Sequence, residues 1–193
     1  MTNAIPASGT LSTRPKRADA RRNYDKLVAT ARTAFGEDGV STSLEDIARR
    51  AEVGIGTLYR HFPTRRDLFE AVYIDEVEAL SRSAADLAGE PPWDALVGWL
   101  RRLVEYIGTK RALAEELIHD SEIFRRCRDE VYAAGQPLLA RAQTAGVVRP
   151  DTNIDDVMRL VSGITLVKVT EPAQLERVLN LALDGLRPQA PRS

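Results

Sequence analysis

Apolar residues recur three and four positions apart along this chain, and no strand signal stands out after Phe69. The segment SLEDIARRA, Ser43 to Ala51, reads as a short helix with Leu44, Ile47 and Ala48 facing inward and Arg49 and Arg50 near its end. Thr42 followed by Glu45 has the spacing of a capping box, so this helix opens at Thr42 or Ser43, and its N-terminus is a natural phosphate seat. A second short helix follows in VGIGTLYRHF. At about 100° per residue, Ile55, Leu58 and Phe62 fall on one stripe that must face a core. Gly56, Thr57 and Arg60 fall on the opposite side, with Tyr59 and His61 on the two flanks. Pro63 stops this helix, Thr64 can cap the next, and Arg65 and Arg66 sit in that helix's first turn.

Two short helices separated by a tight stop form a helix-turn-helix, which points at duplex DNA. The outward face of the second helix carries no bulky apolar residue. Gly54 and Gly56 are costly in so short an element, roughly 1 kcal/mol for an interior glycine relative to alanine, but they let a backbone approach a groove wall. Thr57 and Arg60 then point toward base edges, while Tyr59 and His61 reach for phosphates on either side. Arg65 and Arg66 oppose the macrodipole at a helix start, which suggests an anionic partner that stabilises them.

The stretch from Arg21 to Phe69 resembles the N-terminal DNA-binding domain of the TetR family of bacterial transcriptional regulators, about a quarter of the chain. LVATARTAFGEDGVSTSLEDIARRAEVGIGTLYRHFPTRRDLF is similar to that family's first four helices. The resemblance rests on the Ala31, Phe35 and Gly39 spacing, the Ile47 and Ala48 pair, the run from Gly56 to Phe62, and a basic residue three positions after Phe62. It implies phosphate contacts for Tyr59 and His61 and a DNA contact for Arg65, where the family usually has lysine. The DNA-binding set is thus Thr42, Ser43, Gly54, Ile55, Gly56, Thr57, Tyr59, Arg60, His61 and Arg65. Two positions depart from the family: Glu52 stands at a turn position that is often glycine, and Gly54 at one that is often serine.

Downstream, a helix from about Arg65 to Leu87 is stopped by Gly89, Pro91 and Pro92, and is a candidate lever between two domains. Trp93 to Ile107 is apolar on most of its circumference and should be buried. A short helix around Arg111 to His119 precedes a long one from Ser121 to Ala145 that Pro137 should kink. The family resemblance implies a small-molecule effector bound between these helices, with Trp93, Trp99, Tyr106, His119, Phe124, Cys127 and Tyr132 as pocket candidates and ordinary packing as the competing role of each. The last two helices run from about Ile154 to Val169 and from about Pro172 to Leu186. One carries the stripe Ile154, Val157, Met158, Val161 and Ile164; the other carries Leu175, Val178, Leu179, Ala182 and Leu186, with Leu181 and Leu183 beyond it. That is more apolar surface than one neighbouring helix needs. An intermolecular bundle of two such pairs would use it, as the resemblance to a homodimeric family implies.

Composition changes this picture only in its distribution of charge. The net charge of −1 over 193 residues, taken as a whole, argues against nucleic acid. Residues 1 to 66, however, hold 12 Lys and Arg against 7 Asp and Glu, leaving 15 against 21 in the remainder, so the basic end coincides with the helix-turn-helix. The single Cys127 excludes an intrachain disulfide, and no apolar leader or spanning segment stands out, so a cytoplasmic protein without a membrane partner is expected. Glu116, His119 and Asp120 share a helical face at metal-ligand spacing, but one imidazole and two carboxylates make a weak set; no metal and no cofactor are expected. An enzyme is a poor rival, with two histidines in all and no nucleophile beside a base at recognisable spacing.

The expected architecture is all-α. A basic arm, disordered when free, covers residues 1–20, a helix-turn-helix DNA-binding domain 21–66, a helical ligand-binding and dimerisation domain 67–187, and a tail 188–193. The expected partners are double-stranded operator DNA, an unknown small-molecule effector and a second copy of the chain. The expected function is a homodimeric repressor released from a palindromic operator by ligand. The alternatives are an effector-dependent activator, because the sign depends on where the operator lies relative to a promoter, and a DNA-binding protein without ligand, which would hardly need more than 100 residues of aromatic-containing helices beyond its reader.

Overall fold

The computed structural model describes residues 14–38, 41–113, 122–166 and 171–188. Among these residues the secondary structure is helical without strands: α1 (Ala18–Asp38), α2 (Leu44–Arg50), α3 (Ile55–His61), α4 (Arg65–Asp86), α5 (Pro92–Leu113), α6 (Glu122–Thr144), α7 (Ile154–Leu166) and α8 (Pro172–Gly185). No helix among them is long and apolar enough to cross a membrane. The chain divides into two compact units, with boundaries inside α4, between Asp75 and Glu76, and at the end of α5, between Arg111 and Ala112.

The first unit is built on the heptad-like face of α1. Tyr24, Leu27, Val28, Ala31, Ala34 and Phe35 are all buried, at the three- and four-residue intervals that keep one helical face turned inward. Leu44, Ile47 and Ala48 of α2, Leu58 of α3, Phe62 just beyond it, and Leu68, Phe69 and Val72 of α4 complete this core. Phe35 and Phe69 stack with centroids 4.4 Å apart, and Tyr24 tilts against Phe62 at 5.0 Å. Thr64 and Asp67 cap the start of α4 reciprocally: the Thr64 hydroxyl accepts from the Asp67 amide at 3.2 Å and the Asp67 carboxylate accepts from the Thr64 amide at 2.8 Å.

In the second unit Trp99 is fully buried and its indole N–H donates to the Leu80 carbonyl at 3.3 Å, which satisfies its one polar atom. Gly135 of α6 makes room for that indole: a Cβ there would stand 2.7 Å from Trp99 Cζ3 and 3.1 Å from Ile154 Cδ1. The helix runs through the exposed Pro137 and continues to Thr144. Arg141 donates to the carbonyls of Leu87, Ala88 and Glu90, the turn that ends α4, where a cation complements the exposed carbonyls. Asn153 and Asp156 form a second reciprocal cap at the start of α7, each bond 3.0 Å.

Candidate nucleic-acid interface

The turn between α2 and α3 is a Schellman stop. The Val53 amide donates to the Ala48 carbonyl at 3.0 Å and the Glu52 amide to the Arg49 carbonyl at 3.1 Å, which requires a left-handed residue at Glu52. Glu52 adopts it, with φ 55°, and is the one non-glycine residue with positive φ among the described residues. Its place at a position that is often glycine is therefore a backbone conformation an L-residue takes at some cost.

The opening of α2 is settled in favour of Ser43, whose hydroxyl accepts from the Asp46 amide at 3.0 Å. Thr42 does not cap: it is buried and its hydroxyl donates to the Ala34 carbonyl of α1, so its side chain is turned away from any surface. Asp46 gathers both arginines of α2, Arg49 and Arg50. The hydrogen bond from Arg49, then the nearby Arg charges, hold the Asp46 carboxyl below its ordinary range against the opposing effect of burial.

The outer face of α3 is open. Gly54, Gly56 and Arg60 are exposed, Thr57 is half-buried, and Tyr59 is 43% exposed. A Cβ on Gly54 or Gly56 would meet nothing within 4 Å, so the fold itself gives no reason for either glycine. The Tyr59 hydroxyl lies 3.4 Å from Glu45 Oε1, and Arg60 folds back to donate to the Gly56 carbonyl at 3.0 Å. His61 is half-buried with its ring edge-on to Tyr24, centroids 6.0 Å apart. Burial first, then the Arg60 charge, lower its pKa below the ordinary imidazole value.

One expectation is corrected on this face. Ile55 does not face the core with Leu58 and Phe62; it is 40% exposed, because the first residue of α3 projects past the edge of the core that Leu58 fills one turn later. Arg65 and Arg66 both have partners within the chain. Arg66 pairs with Glu70 at 2.8 Å, and Arg65, half-buried, donates to the Thr42 carbonyl and lies over the Phe35 and Phe69 rings.

Residues 27–72 match the family described as bacterial regulatory proteins, tetR family, and residues 91–188 match the C-terminal domain of SbtR-like transcriptional regulators. The chain belongs to the TetR family of bacterial transcriptional regulators. A TetR transcriptional regulator of Streptomyces coelicolor is 40% identical, with 86% of this chain and 99% of that one covered at a TM-score of 0.77. A TetR regulatory protein of Mycobacterium vanbaalenii is 34% identical, covering 90% of this chain and 100% of that one at a TM-score of 0.74. A probable acrEF/envCD operon repressor of Escherichia coli is 26% identical over 167 residues, 76% of this chain and 74% of that one. As a TetR-family member the protein is a DNA-binding transcriptional regulator, which gives the open face of α3 its context.

Four of the pocket candidates of this TetR-family chain are interior residues of the second unit. Trp99, Tyr106, Phe124 and Cys127 are buried, Trp99 against Gly135, and Trp93 carries the Arg187 guanidinium 3.8 Å over its ring. Tyr132 donates to Asp155 at 2.9 Å and, with Arg128, Asp129 and Arg159, lines an open polar cleft of about 420 Å³. Burial, then Asp155, raise the Tyr132 pKa. His119 lies outside the described residues, as do Glu116 and Asp120.

The stripes nominated for a second copy are corrected in part. Val157, Met158, Val161, Leu179 and Leu186 are buried within the chain itself, where they pack α7 and α8 into the second unit's core and are unavailable to a partner. Ile154, Ile164, Leu175 and Ala182 are half-buried, and Val178 is exposed. Among the described residues of α7 and α8, the exposed large apolar side chains are the nominated Val178 together with Leu160 and Leu181, the last 72% exposed. Leu160 was missed because it lies between the stripe residues Val157 and Val161, where a wheel centred on the buried face ignores it.

Proposed function

We propose that the chain is a cytoplasmic homodimeric repressor that grips a near-palindromic operator with two copies of α3 and is released when a small molecule binds its second unit. The observation that carries this reading is the outer face of α3, exposed, with two glycines that its own fold does not need. Thr57 and Arg60 read base edges; Tyr59 and His61 hold phosphates; Gly54 and Gly56 admit the groove wall, with Ile55 as an apolar contact beside them. The name of the E. coli relative, an operon repressor, supports repression over activation. Leu160, Val178 and Leu181 support pairing of two chains through α7 and α8, since large apolar side chains left outward on adjacent helices are the usual material of a dimer core. The first unit, which extends to Asp75 rather than stopping at residue 66, then acts as the reading domain and the second unit as the effector and dimerisation domain. Ligand acts by preferring the state in which the two reading helices no longer match consecutive major grooves.

The test is light scattering together with a mobility shift, using a duplex selected from a random-sequence pool by the protein itself. A particle of twice the chain mass, binding one duplex in sequence-dependent fashion, is the expected result. A monomer that binds all duplexes equally contradicts the proposal.

A further inference from the structure

Arg65 is the residue that the family pattern sends to the DNA backbone, yet its guanidinium is engaged inside the first unit. One Nη donates to the Thr42 carbonyl at 2.5 Å, 23 positions earlier in the chain. Its Cζ lies 5.1 Å from the Phe69 centroid and 5.8 Å from that of Phe35, within the range of cation–π attraction. Thr42 immediately precedes the Ser43 cap of α2, and its hydroxyl donates to Ala34 of α1. Arg65 therefore joins α1, the connection into α2, and α4 at one point. The arrangement uses what distinguishes arginine from lysine: a planar cation stacks by its face and donates in its plane at the same time, whereas an ammonium cannot do both.

We propose that Arg65 is a positioning residue that fixes the entry of α2, and through it α3, against α4, and so sets DNA affinity without neutralising a phosphate. The inference rests on the reading of α3 as the DNA-contacting helix.

Arg65→Lys and Arg65→Met, made in the full chain, test it by fluorescence anisotropy with a labelled duplex selected from a random pool by the unmodified protein, across a salt series. Both variants should bind about tenfold more weakly at every salt concentration, about 1.4 kcal/mol, with the slope of log K against log salt unchanged. A phosphate contact gives another pattern: Arg65→Lys close to the unmodified protein, and Arg65→Met with a slope shallower by about 0.9. That pattern, or undiminished affinity in both variants, overturns the proposal. Hydrogen exchange of the free protein supplies a readout independent of DNA. Amides of α2 and α3 should exchange faster in both variants while those of α5 to α8 keep their protection. Unchanged exchange in α2 and α3, or a uniform rise across all helices, overturns the positioning role; failure of the unmodified protein to bind any duplex defeats only the function on which it rests.

Discussion

Gly56→Ala separates what the fold needs from what DNA needs. Gly56 is the second residue of α3, and a methyl group there enters open space, with no atom within 4 Å. Replacing a helical glycine with alanine contributes about 0.5–1 kcal/mol through lower backbone entropy in the unfolded chain. Near the start of a seven-residue helix the lower end, about 0.5 kcal/mol, is the better expectation. For a chain of this size that is a rise of about 1–2 °C in Tm. On DNA the sign reverses. An α-helix with its side chains is about 10–12 Å across and the major groove about 12 Å wide, so a methyl group on the apposed face removes the clearance that lets the backbone approach. Affinity should fall about tenfold or more, at unchanged salt slope. Thermal unfolding followed by circular dichroism, and anisotropy with a selected duplex, are measured on the same preparation. Undiminished affinity would show that the glycine face of α3 does not lie against DNA, and a lowered Tm would refute the claim that the fold leaves that position open.

Three further outcomes are expected. Leu181→Glu places a charge on the exposed side of α8 and should give a folded monomer, whereas Leu179→Glu, at a position only 2% exposed, should unfold the second unit, since an unpaired buried carboxylate costs several kcal/mol; light scattering and circular dichroism tell them apart, and a dimeric Leu181→Glu protein would place the interface elsewhere. Glu52→Gly relieves a left-handed residue at the α2 stop and should raise stability by about 0.5–1 kcal/mol in denaturant unfolding, with no gain meaning that the Glu52 side chain offsets its strained backbone. For His61 the folded pKa lies below the unfolded one, so the unfolded chain takes up the proton first; the stability this group contributes is present above about pH 6.5 and is lost as pH falls through the window below it. A phosphate contact acts with the opposite sign, so DNA affinity should rise on acidification through that window. His61→Gln should flatten both trends, and an affinity profile unaltered by it would remove His61 from the DNA contacts.

Helices and their inward faces were legible because a 3.6-residue period shows directly which side is apolar. The ends of a stripe were not. Ile55 has the right phase to join Leu58 and Phe62 but sits one turn beyond the core they fill. Thr42 and Ser43 are equally good caps by composition, and only the packing of Thr42 beneath α1 decides between them. In α7 and α8 the periodicity identified an apolar surplus without telling the chain's own core from a partner's; Val157 and Leu179 went inward and Leu160 and Leu181 outward. Arg65 was hidden for a different reason. Its carbonyl partner is a backbone atom 23 residues away, and no pattern of side chains announces such a bond.

The central claim is that two copies of α3 read DNA as a pair. Selection of duplexes from a random pool by the full chain, followed by sequencing of the bound fraction, tests it most directly. The account predicts an inverted repeat whose half-sites are spaced to present successive major grooves, about 34 Å apart, on one face of the duplex. A bound fraction with no enriched sequence, or with a single unpaired half-site, would contradict it.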